Sequence, residues 1–378
     1  MKALLLSAYD AASHRAWREN LHAMLPQITW TTLTLPPRHF AWRVRGNSLS
    51  WAFKQRPALT AGHDFLLCTS MTDLCALRGF VPALGQLPTI VYCHENQFAF
   101  PENPQATVMN AVEPQMLSIY TALCADRLVF NSAWNRASFL QGAKALLRKL
   151  PDEVPDGLPE RLAQGVVLPV PLDASLWQPR QVAREPEVLT VVWNHRWEFD
   201  KGPALLLAIV EALLQQGVRF RLHLLGQRFR QAPPEFGVLQ ARLAQWHAET
   251  GIRPGHQGHV AETDKYRELL ASSDVVLSTA LHDFQGLALQ EASALGCAAL
   301  APARLVYPEY LAPEHLYHGT GTMAEQADSA VARLQEWARR KAAGLPLPVA
   351  DMLGCHPDTL RPGYEQLIHS LFSQAAAS

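Results

Sequence analysis

Short apolar runs alternate with longer amphipathic segments along the whole chain. The apolar runs, such as KALLLSAY near the start and EVLTVVWNH past the midpoint, are rich in Val and Leu. Apolar strands that alternate with helices form parallel sheets covered on both faces, so the pattern predicts an α/β fold. The amphipathic segments predict helices over 105–123, 132–149, 202–216, 235–249 and 286–296.

The alternation is interrupted once, by VPLDASLWQPRQVAREPEV at residues 170–188. This stretch carries prolines and charges without a clear period, which is typical of a linker. The chain has 378 residues, enough for two hydrophobic cores. We therefore predict two doubly wound Rossmann-like domains, over 1–175 and 186–355, and a C-terminal helix over 356–378 that packs back on the first domain. Ligands of such sheets bind beyond the carboxyl ends of the strands, so we expect the site in a cleft between two facing domains.

Charge is unevenly distributed, although the formal net charge is only -1. No acidic residue occurs from Asn20 to His63, and basic and aromatic side chains interleave there. Cations neutralise phosphates and rings stack on unpaired bases, so this basic strip is a candidate nucleic-acid-binding surface. The alternative is a solvated basic helix face with buried tryptophans. The residues of the basic strip are Arg38, Trp42, Arg43, Arg45, Trp51, Lys54 and Arg56.

Several classes of protein are disfavoured. The first apolar run is too short for a signal peptide, and no later run reaches membrane-spanning length without a charge or a proline, so we expect a cytoplasmic protein without a membrane partner. The six cysteines lack CxxC spacing and lie in or near apolar runs, which predicts reduced core thiols. HQGH has no further ligand-type residue nearby and no DxD pair occurs in the cleft segments, so we expect no metal and no cofactor.

The segment VVWNHRWEFDKGPALLLAIVEALLQQG predicts a strand, a loop and a helix that begins near Gly202. Arg196 and Lys201 lie in the loop. Two cations beside the free N–H groups of a helix N-terminus favour binding of a diphosphate. The alternative is that both cations are only solvated.

The segment SSDVVLSTALHDFQGLALQEA predicts a second strand, loop and helix, with Asp283 in the loop and Glu291 in the helix. Gly286 permits close approach of a ligand at the helix start, where the backbone N–H groups are free. Glu291 lies in an apolar stretch, and a carboxylate there needs a partner such as the hydroxyls of a ribose. The alternative is a glutamate on a solvated helix face.

Together these residues resemble the donor domain of the family-four retaining glycosyltransferases, which have the GT-B architecture of two facing Rossmann-like domains. The resemblance implies that Arg196 and Lys201 hold the donor diphosphate, that Asp283 contacts the sugar and that Glu291 holds the ribose. The family usually has Glu at the position of Asp283, so the reach to the sugar is shorter here. The donor-binding residues that complete this set are Asn194, Gly202, Gln227, Arg228, Gly286, Leu287 and Ala288.

The first domain offers candidates on the acceptor side. His94 ends the predicted strand PTIVYCH and matches the family histidine that reaches the donor sugar. The polar residues after it, and the small residues in SAYDAASHRAW, lie where the strands deliver them to the cleft. The expected acceptor-binding residues are Ser13, His14, Arg38, Trp42, Arg43, Arg45, Glu95, Asn96 and Gln97.

Almost the whole chain is similar to a narrower group, the tRNA-queuosine mannosyltransferases. The similarity is carried by SAYDAASHRAW, PPRHFAWRVRG, YCHENQFAFPENPQ, VFNSAWNRASF, WNHRWEFDKG and HDFQGLALQEA. It implies transfer of mannose from GDP-mannose, with retention, onto the cyclopentenediol of queuosine in the anticodon of tRNA-Asp. Three alternatives stay open: a glycosyltransferase for a lipid-linked or polysaccharide acceptor, a nucleotide-sugar epimerase of GT-B fold, and an RNA-binding module with a relic donor site. The presence of Arg196, Lys201 and Glu291 argues against the last of these.

Overall fold

The computed structural model describes residues 1–101, 112–149, 151, 153–180, 182–229 and 232–373. The chain divides into two compact units. The first comprises residues 1–173 and the C-terminal segment from Gly354, and the second comprises Ala174–Leu353.

The first unit contains a six-stranded parallel sheet with the strand order β2-β1-β3-β4-β5-β6. β3 and β4 are buried along their whole length, which explains why their sequences are continuously apolar rather than alternating. The strands are β1 (Lys2–Ser7), β2 (Thr29–Thr34), β3 (Phe65–Thr69), β4 (Thr89–Cys93), β5 (Arg127–Phe130) and β6 (Val166–Val167).

Helices connect these strands. The side chains of Asp73 and Ser132 cap α4 and α6, each accepting a backbone N–H of the first turn. The first part of the predicted helix over 105–123 falls outside the described residues. The helices are α1 (Ala12–Met24), α2 (Phe40–Lys54), α3 (Arg56–Leu59), α4 (Leu74–Phe80), α5 (Val112–Leu123), α6 (Ala133–Leu147) and α7 (Leu158–Ala163).

The second unit contains another six-stranded parallel sheet, with the order β12-β11-β10-β7-β8-β9. Its strands are β7 (Leu189–Asn194), β8 (Phe220–Leu225), β9 (Gln257–Gly258), β10 (Val275–Leu277), β11 (Ala298–Pro302) and β12 (Leu316–Tyr317). Its helices are α8 (Pro203–Gln215), α9 (Glu235–Thr250), α10 (Thr263–Ala271), α11 (Leu287–Ala294) and α12 (Met323–Ala342). β7 and β10 are neighbours at the centre of the sheet, so the loops that follow them lie at the same edge.

The last helix, α13 (Pro357–Ser373), packs within the first unit. The indole of Trp17 donates a hydrogen bond to the hydroxyl of Tyr364 (3.3 Å), and this hydroxyl donates to the carbonyl of Pro169 (2.9 Å). Arg127 donates to the carbonyl of Ser370 (2.6 Å). α13 therefore joins α1 and β5 of the first unit.

The expectation that all cysteines are core thiols is wrong for two of them. Cys68, Cys93, Cys297 and Cys355 are buried, whereas Cys75 is exposed and Cys124 is half-buried. α4 buries Leu74 and Leu77, which share one face of the helix, and Cys75 lies on another face. An apolar run therefore predicts the helix but not the burial of each position in it.

Within the described ranges, no helix is both long and apolar enough to cross a membrane.

Candidate functional site

In the second unit, the loop after β7 and the loop after β10 are held against each other. The ammonium of Lys201 donates to the carbonyl of His282 (2.7 Å), and the hydroxyl of Thr279 donates to the carbonyl of Lys201 (2.8 Å). Gly202 has a φ of +67°, and a Cβ on it would lie 2.0 Å from the carbonyl oxygen of Thr279. Glycine is therefore required here both for the backbone conformation and for the close approach of the two loops.

Lys201 is the centre of a charged cluster with little access to solvent. Its ammonium lies 3.2 Å from a carboxylate oxygen of Asp200 and 3.9 Å from one of Asp283. The Lys201 side chain is 12% exposed and that of Asp200 is 4% exposed. Burial opposes ionisation of Asp283, but the Lys201 ammonium and the N–H of Gly286 outweigh burial and hold the pKa of Asp283 below its usual value. Asp283 therefore stays ionised at neutral pH although it is buried.

Asp283 also positions the start of α11. One carboxylate oxygen accepts the N–H of Gly286 (3.0 Å), and the other accepts the hydroxyl of Tyr307 (3.2 Å). Gly286 has a φ of +76°, and a Cβ on it would lie 2.6 Å from the hydroxyl oxygen of Tyr310. Leu287 and Ala288 follow in the first turn of α11. The predicted sugar-contacting carboxylate is thus bonded to the loop that presents this helix N-terminus.

Glu291 is joined to the end of β7 through a tyrosine that the sequence analysis missed. The hydroxyl of Tyr266 donates to a carboxylate oxygen of Glu291 (3.3 Å), and the amide of Asn194 donates to the same hydroxyl (3.1 Å). The Asn194 amide also donates to the carbonyl of Ala288 (2.8 Å). Its buried side-chain oxygen has no hydrogen-bond partner among the described residues. Nothing in the sequence around Tyr266 distinguishes it from an ordinary helix-face aromatic residue.

Arg196 does not join the Lys201 cluster. Its side chain is 55% exposed and forms an ion pair with Glu198 (3.0 Å). The other two predicted residues contact the neighbouring Trp197. The backbone N–H of Trp197 donates to the carbonyl of Gln227 (3.0 Å), and the guanidinium of Arg228 lies 5.9 Å from the centre of the Trp197 ring. Arg196, Gln227 and Arg228 thus belong to one loop pair, beside Lys201 in sequence but with a different set of partners.

His195 is a further buried polar residue that the sequence analysis missed. It is 5% exposed, and its Nε2 atom has no hydrogen-bond partner within the described part of the chain. Burial, together with the nearby positive charge of Lys201, lowers the pKa of His195 to about 4. Burial and Lys201 likewise lower the pKa of His282 to about 4. Neutral imidazoles therefore flank the lysine and add no competing positive charge.

In the first unit, His94 directly follows β4 and lies in an aromatic cluster. Its ring centre lies 4.2 Å from that of His14 and 4.7 Å from those of Trp17 and Tyr92. Burial, and then the proximity of His14, lower the pKa of His94 well below its usual value. Burial likewise lowers the pKa of His14 to about 4, against the opposing charge of Asp10. The Nε2 atom of His94 has no hydrogen-bond partner in the described structure and can accept or donate one as a neutral ring.

The side chain of Asn96, two residues after His94, forms several hydrogen bonds. The amide of Asn96 donates to the side-chain oxygens of Asn135 and Ser138 (both 2.9 Å), and its oxygen accepts the N–H of Phe98 (2.9 Å). Asn96 therefore organises the loop after β4, a role that its neighbours in sequence did not reveal.

Three other expected acceptor residues lie around this loop. The hydroxyl of Ser70 donates to the carbonyl of Glu95 (3.3 Å), and Gln115 donates to the carbonyl of Gln97 (3.1 Å). The hydroxyl of Ser13 lies 3.5 Å from Nδ1 of His14. The first two of these bonds use the backbone carbonyls of Glu95 and Gln97. The side chains of both residues are half-buried.

The basic strip forms α2 and its flanks, and its aromatic residues differ in burial. Trp42 is 57% exposed, whereas Trp51 is 2% exposed and belongs to the core. The expectation that Trp51 offers a stacking surface is therefore wrong. Arg38 is exposed, and Arg43 donates to the carbonyl of Pro36 (3.3 Å).

Arg45 is neutralised by two carboxylates. Its guanidinium lies 3.0 Å from a carboxylate oxygen of Asp73 and 3.1 Å from one of Glu113. Arg56 and Lys54 are exposed. A groove of about 430 Å³ between β2 and α2 is lined by the polar residues Thr32, Thr34, Arg43, Ser50, Lys54 and Gln55 and by the apolar residues Leu33, Leu35 and Trp51.

Among the residues that the structure describes, no three His, Cys, Asp or Glu side chains are arranged to hold a metal ion.

Comparison with known proteins assigns the family. A family model for the N-terminal region of tRNA-queuosine alpha-mannosyltransferases matches residues 2–172, and one for group 1 glycosyl transferases matches residues 178–344. The tRNA-queuosine alpha-mannosyltransferase of Drosophila melanogaster is 30% identical over 334 residues, which cover 85% of each chain. The chain belongs to the tRNA-queuosine alpha-mannosyltransferase family. It is therefore a glycosyltransferase, and the resemblance drawn from the sequence motifs is confirmed.

Solved structures show the same fold at low identity. HepE from Anabaena, in complex with UDP and glucose, has a TM-score of 0.65 and 13% identity, covering 98% of this chain and 100% of that one. Sucrose-phosphate synthase from Thermosynechococcus elongatus has a TM-score of 0.66 and 14% identity, with 100% of both chains covered. The predicted two-domain α/β fold of the GT-B class is confirmed.

The two neutral histidines of the first unit predict a pH dependence of stability. The folded chain keeps His14 and His94 uncharged, whereas the unfolded chain protonates them below about pH 6.5. The free energy of unfolding should therefore be fully present above pH 6.5 and should fall as the pH drops from there towards 4. In the variant His14→Gln, the slope of this free energy against pH should decrease by up to about 1.4 kcal/mol per pH unit.

Urea unfolding at several pH values measures this slope. The exposed His369, on α13, provides the control variant His369→Gln, for which the slope should equal that of the parent protein. Equal slopes for the parent and His14→Gln would show that folding does not hold His14 neutral.

Proposed function

We propose that the protein transfers mannose from GDP-mannose, with retention of configuration, onto the cyclopentenediol of queuosine in the anticodon of tRNA-Asp in the cytoplasm. The observation that carries the proposal is the match of residues 2–172 to the N-terminal region of tRNA-queuosine alpha-mannosyltransferases. The second unit alone matches only the general group of glycosyl transferases, which acts on many acceptors. The Drosophila relative, named for the same reaction, adds support over most of the chain.

On the donor side, the second unit offers positive charge for a leaving diphosphate. The diphosphate departs from the anomeric carbon, and its negative charge grows as the bond breaks. The Lys201 ammonium and the N–H groups at the start of α11 are joined through Asp283, and Arg196 has an exposed guanidinium nearby in sequence. Prearranged charges of this kind supply a large share of the rate enhancement in many enzymes. We expect no metal ion in this reaction.

The proposed roles of the remaining donor residues follow from their contacts. Glu291 holds the ribose hydroxyls with one carboxylate oxygen while Tyr266 bonds the other. Neutral His94 hydrogen-bonds the sugar without repelling the positive charge that develops on it. The leaving phosphate oxygen accepts the proton of the queuosine hydroxyl as that hydroxyl attacks from the same face, so no protein nucleophile is needed.

A transfer assay tests the proposed reaction. The protein is incubated with radiolabelled GDP-mannose and with tRNA from cells that contain or lack queuosine, and the label in tRNA is counted. We expect label only in the tRNA that contains queuosine, and digestion of that tRNA should release a mannosylated queuosine nucleoside.

Other outcomes distinguish the rival functions. Label in neither tRNA, with label transferred to a lipid extract, would support the lipid-acceptor alternative. Conversion of the sugar nucleotide to another sugar nucleotide, with no acceptor labelled, would support the epimerase. UDP-glucose as the better donor would overturn the choice of GDP-mannose.

On the acceptor side, we propose that Arg38, Trp42, Arg43 and Lys54 contact the tRNA. Arg43 and Lys54 line the groove between β2 and α2, and Trp42 exposes a ring that can stack on an unpaired base. Arg45 contributes less, because Asp73 and Glu113 already neutralise its charge.

Replacing Arg43 and Lys54 together by glutamine should weaken tRNA binding and leave GDP-mannose binding unchanged. Each lost phosphate contact lowers the salt dependence, so the slope of log K against log salt should decrease by about one to two. Filter binding at several salt concentrations measures this slope. The control replaces the exposed Lys144 and Arg148, near the end of α6, by glutamine. A slope equal to the parent's in the Arg43 and Lys54 variant would remove this groove from the tRNA-binding surface.

A further inference from the structure

Two cysteines far apart in sequence lie in contact in the first unit. Cys75 is in the first turn of α4, and Cys124 directly follows α5, 49 residues later. Their sulfur atoms are 3.1 Å apart. A disulfide bond has an S–S distance of about 2.05 Å, so bond formation would bring the two sulfurs about 1 Å closer together.

The pair can be reached by a small reagent. Cys75 is exposed and Cys124 is half-buried, whereas the other four cysteines are buried. Burial also raises the pKa of the thiols of Cys68 and Cys297 to about 12, and that of Cys355 to about 11. Those cysteines are therefore inert as nucleophiles at neutral pH, because thiolates rather than thiols react.

The surroundings of Cys124 favour its thiolate. A hydrogen bond in which either thiol can donate joins the two sulfurs. With Cys75 as the donor, this bond, together with the charges of Arg78 and Arg161 and against the effect of burial, lowers the pKa of Cys124 to about 6. Arg78 donates to the carbonyl of Cys124 (2.9 Å), and Arg161 donates to the carbonyl of Leu123 (2.8 Å). Two guanidiniums are thus anchored on the backbone at Cys124.

We propose that Cys75 and Cys124 form a reversible dithiol–disulfide site that is oxidised by small disulfides of the glutathione class. The Cys124 thiolate attacks one sulfur of the glutathione disulfide, which forms a mixed disulfide and releases one glutathione thiolate. The Cys75 thiol then loses its proton to water and its sulfur attacks Cys124, which forms the Cys75–Cys124 bond and releases the second glutathione. The protein dithiol is oxidised by two electrons, and one glutathione disulfide is reduced to two thiols.

The bond would connect two helices that an ion-pair bridge already joins. Arg45, on α2, contacts Asp73, which caps α4, and Glu113, which lies on α5. A Cys75–Cys124 bond would connect the first turn of α4 to the end of α5 covalently. The disulfide bond would therefore connect α4 and α5, the two helices that Arg45 of the basic strip already bridges.

Native oxidation followed by peptide mapping tests the site. The full-length reduced protein is treated with glutathione disulfide, the reaction is stopped with acid, and free thiols are alkylated in denaturant. Cys68 shares a tryptic peptide with Cys75, and Cys93 shares one with Cys124, so fragment ions must assign the bond. We expect one crosslinked pair of peptides in which Cys75 and Cys124 are bonded and the other two cysteines are alkylated.

Three variants separate the steps. In Cys75→Ser, Cys124 should accumulate as the mixed disulfide with glutathione, because no second thiol resolves it. In Cys124→Ser, modification of Cys75 should be at least about ten-fold slower than that of Cys124 in Cys75→Ser. Cys355→Ser, which removes a buried thiol, should form the Cys75–Cys124 bond at the parent's rate.

The parent protein itself can overturn the proposal. Six alkylated cysteines after exposure to excess glutathione disulfide would do so. Separate glutathione adducts on Cys75 and Cys124, without a bond between them, would do so as well. Circular dichroism of each variant, with a spectrum equal to the parent's, confirms that the compared proteins are folded.

Discussion

The candidate donor site in the second unit depends on one buried ammonium group that two carboxylates hold in place. Removing a charge from water costs several kcal/mol, and this cost is offset only when the charge has well-placed partners. Lys201 has Asp200 and Asp283 as partners and donates to the carbonyl of His282. Because these contacts come from the loops after β7 and β10, they fix the two loops that carry Arg196, Lys201 and Asp283. Gly202 makes the arrangement possible, since no other residue fits against Thr279.

Burial also determines the charge of four histidines. His195, His282, His14 and His94 are all buried, and burial lowers the pKa of each. Neutral rings can hydrogen-bond a sugar without adding charge beside a cation. The cations of this region are paired with carboxylates, Lys201 with Asp200 and Asp283 and Arg196 with Glu198.

Much of the fold could be predicted from the sequence because burial on both faces of a parallel sheet leaves a direct signal. The apolar run IVYC lies in β4, and the helix predicted over 202–216 is observed as Pro203–Gln215. Burial of single residues could not be predicted in the same way. Trp42 and Trp51 are of one type and lie on one helix, yet only Trp51 is in the core. Which face of α2 packs on the sheet is decided by tertiary contacts that the local sequence does not encode.

In the candidate site, too, some residues could be predicted from the sequence and others could not. Lys201, Asp283 and Gly286 could be chosen because they lie in loops that lead from a buried strand into a helix N-terminus, where anions bind, and because their spacing resembles a known family. Tyr266 was missed because it lies on α10, distant in sequence from Glu291, and its role depends on a hydrogen bond across the sheet edge. Asn96 was chosen for its position, but its amide bonds Asn135 and Ser138, whose proximity only the folded chain creates.

The most informative experiment asks whether the buried Lys201 ammonium binds the donor diphosphate. Calorimetry measures the affinity for GDP-mannose of the parent protein and of Lys201→Met. We expect Lys201→Met to bind about ten-fold to one-hundred-fold more weakly, because it loses a charged hydrogen bond of about 1.5–3 kcal/mol. Lys144→Met, which removes an exposed lysine of the first unit, should bind as the parent does. Equal affinities for the parent and a folded Lys201→Met protein would show that the Lys201 ammonium does not bind the diphosphate.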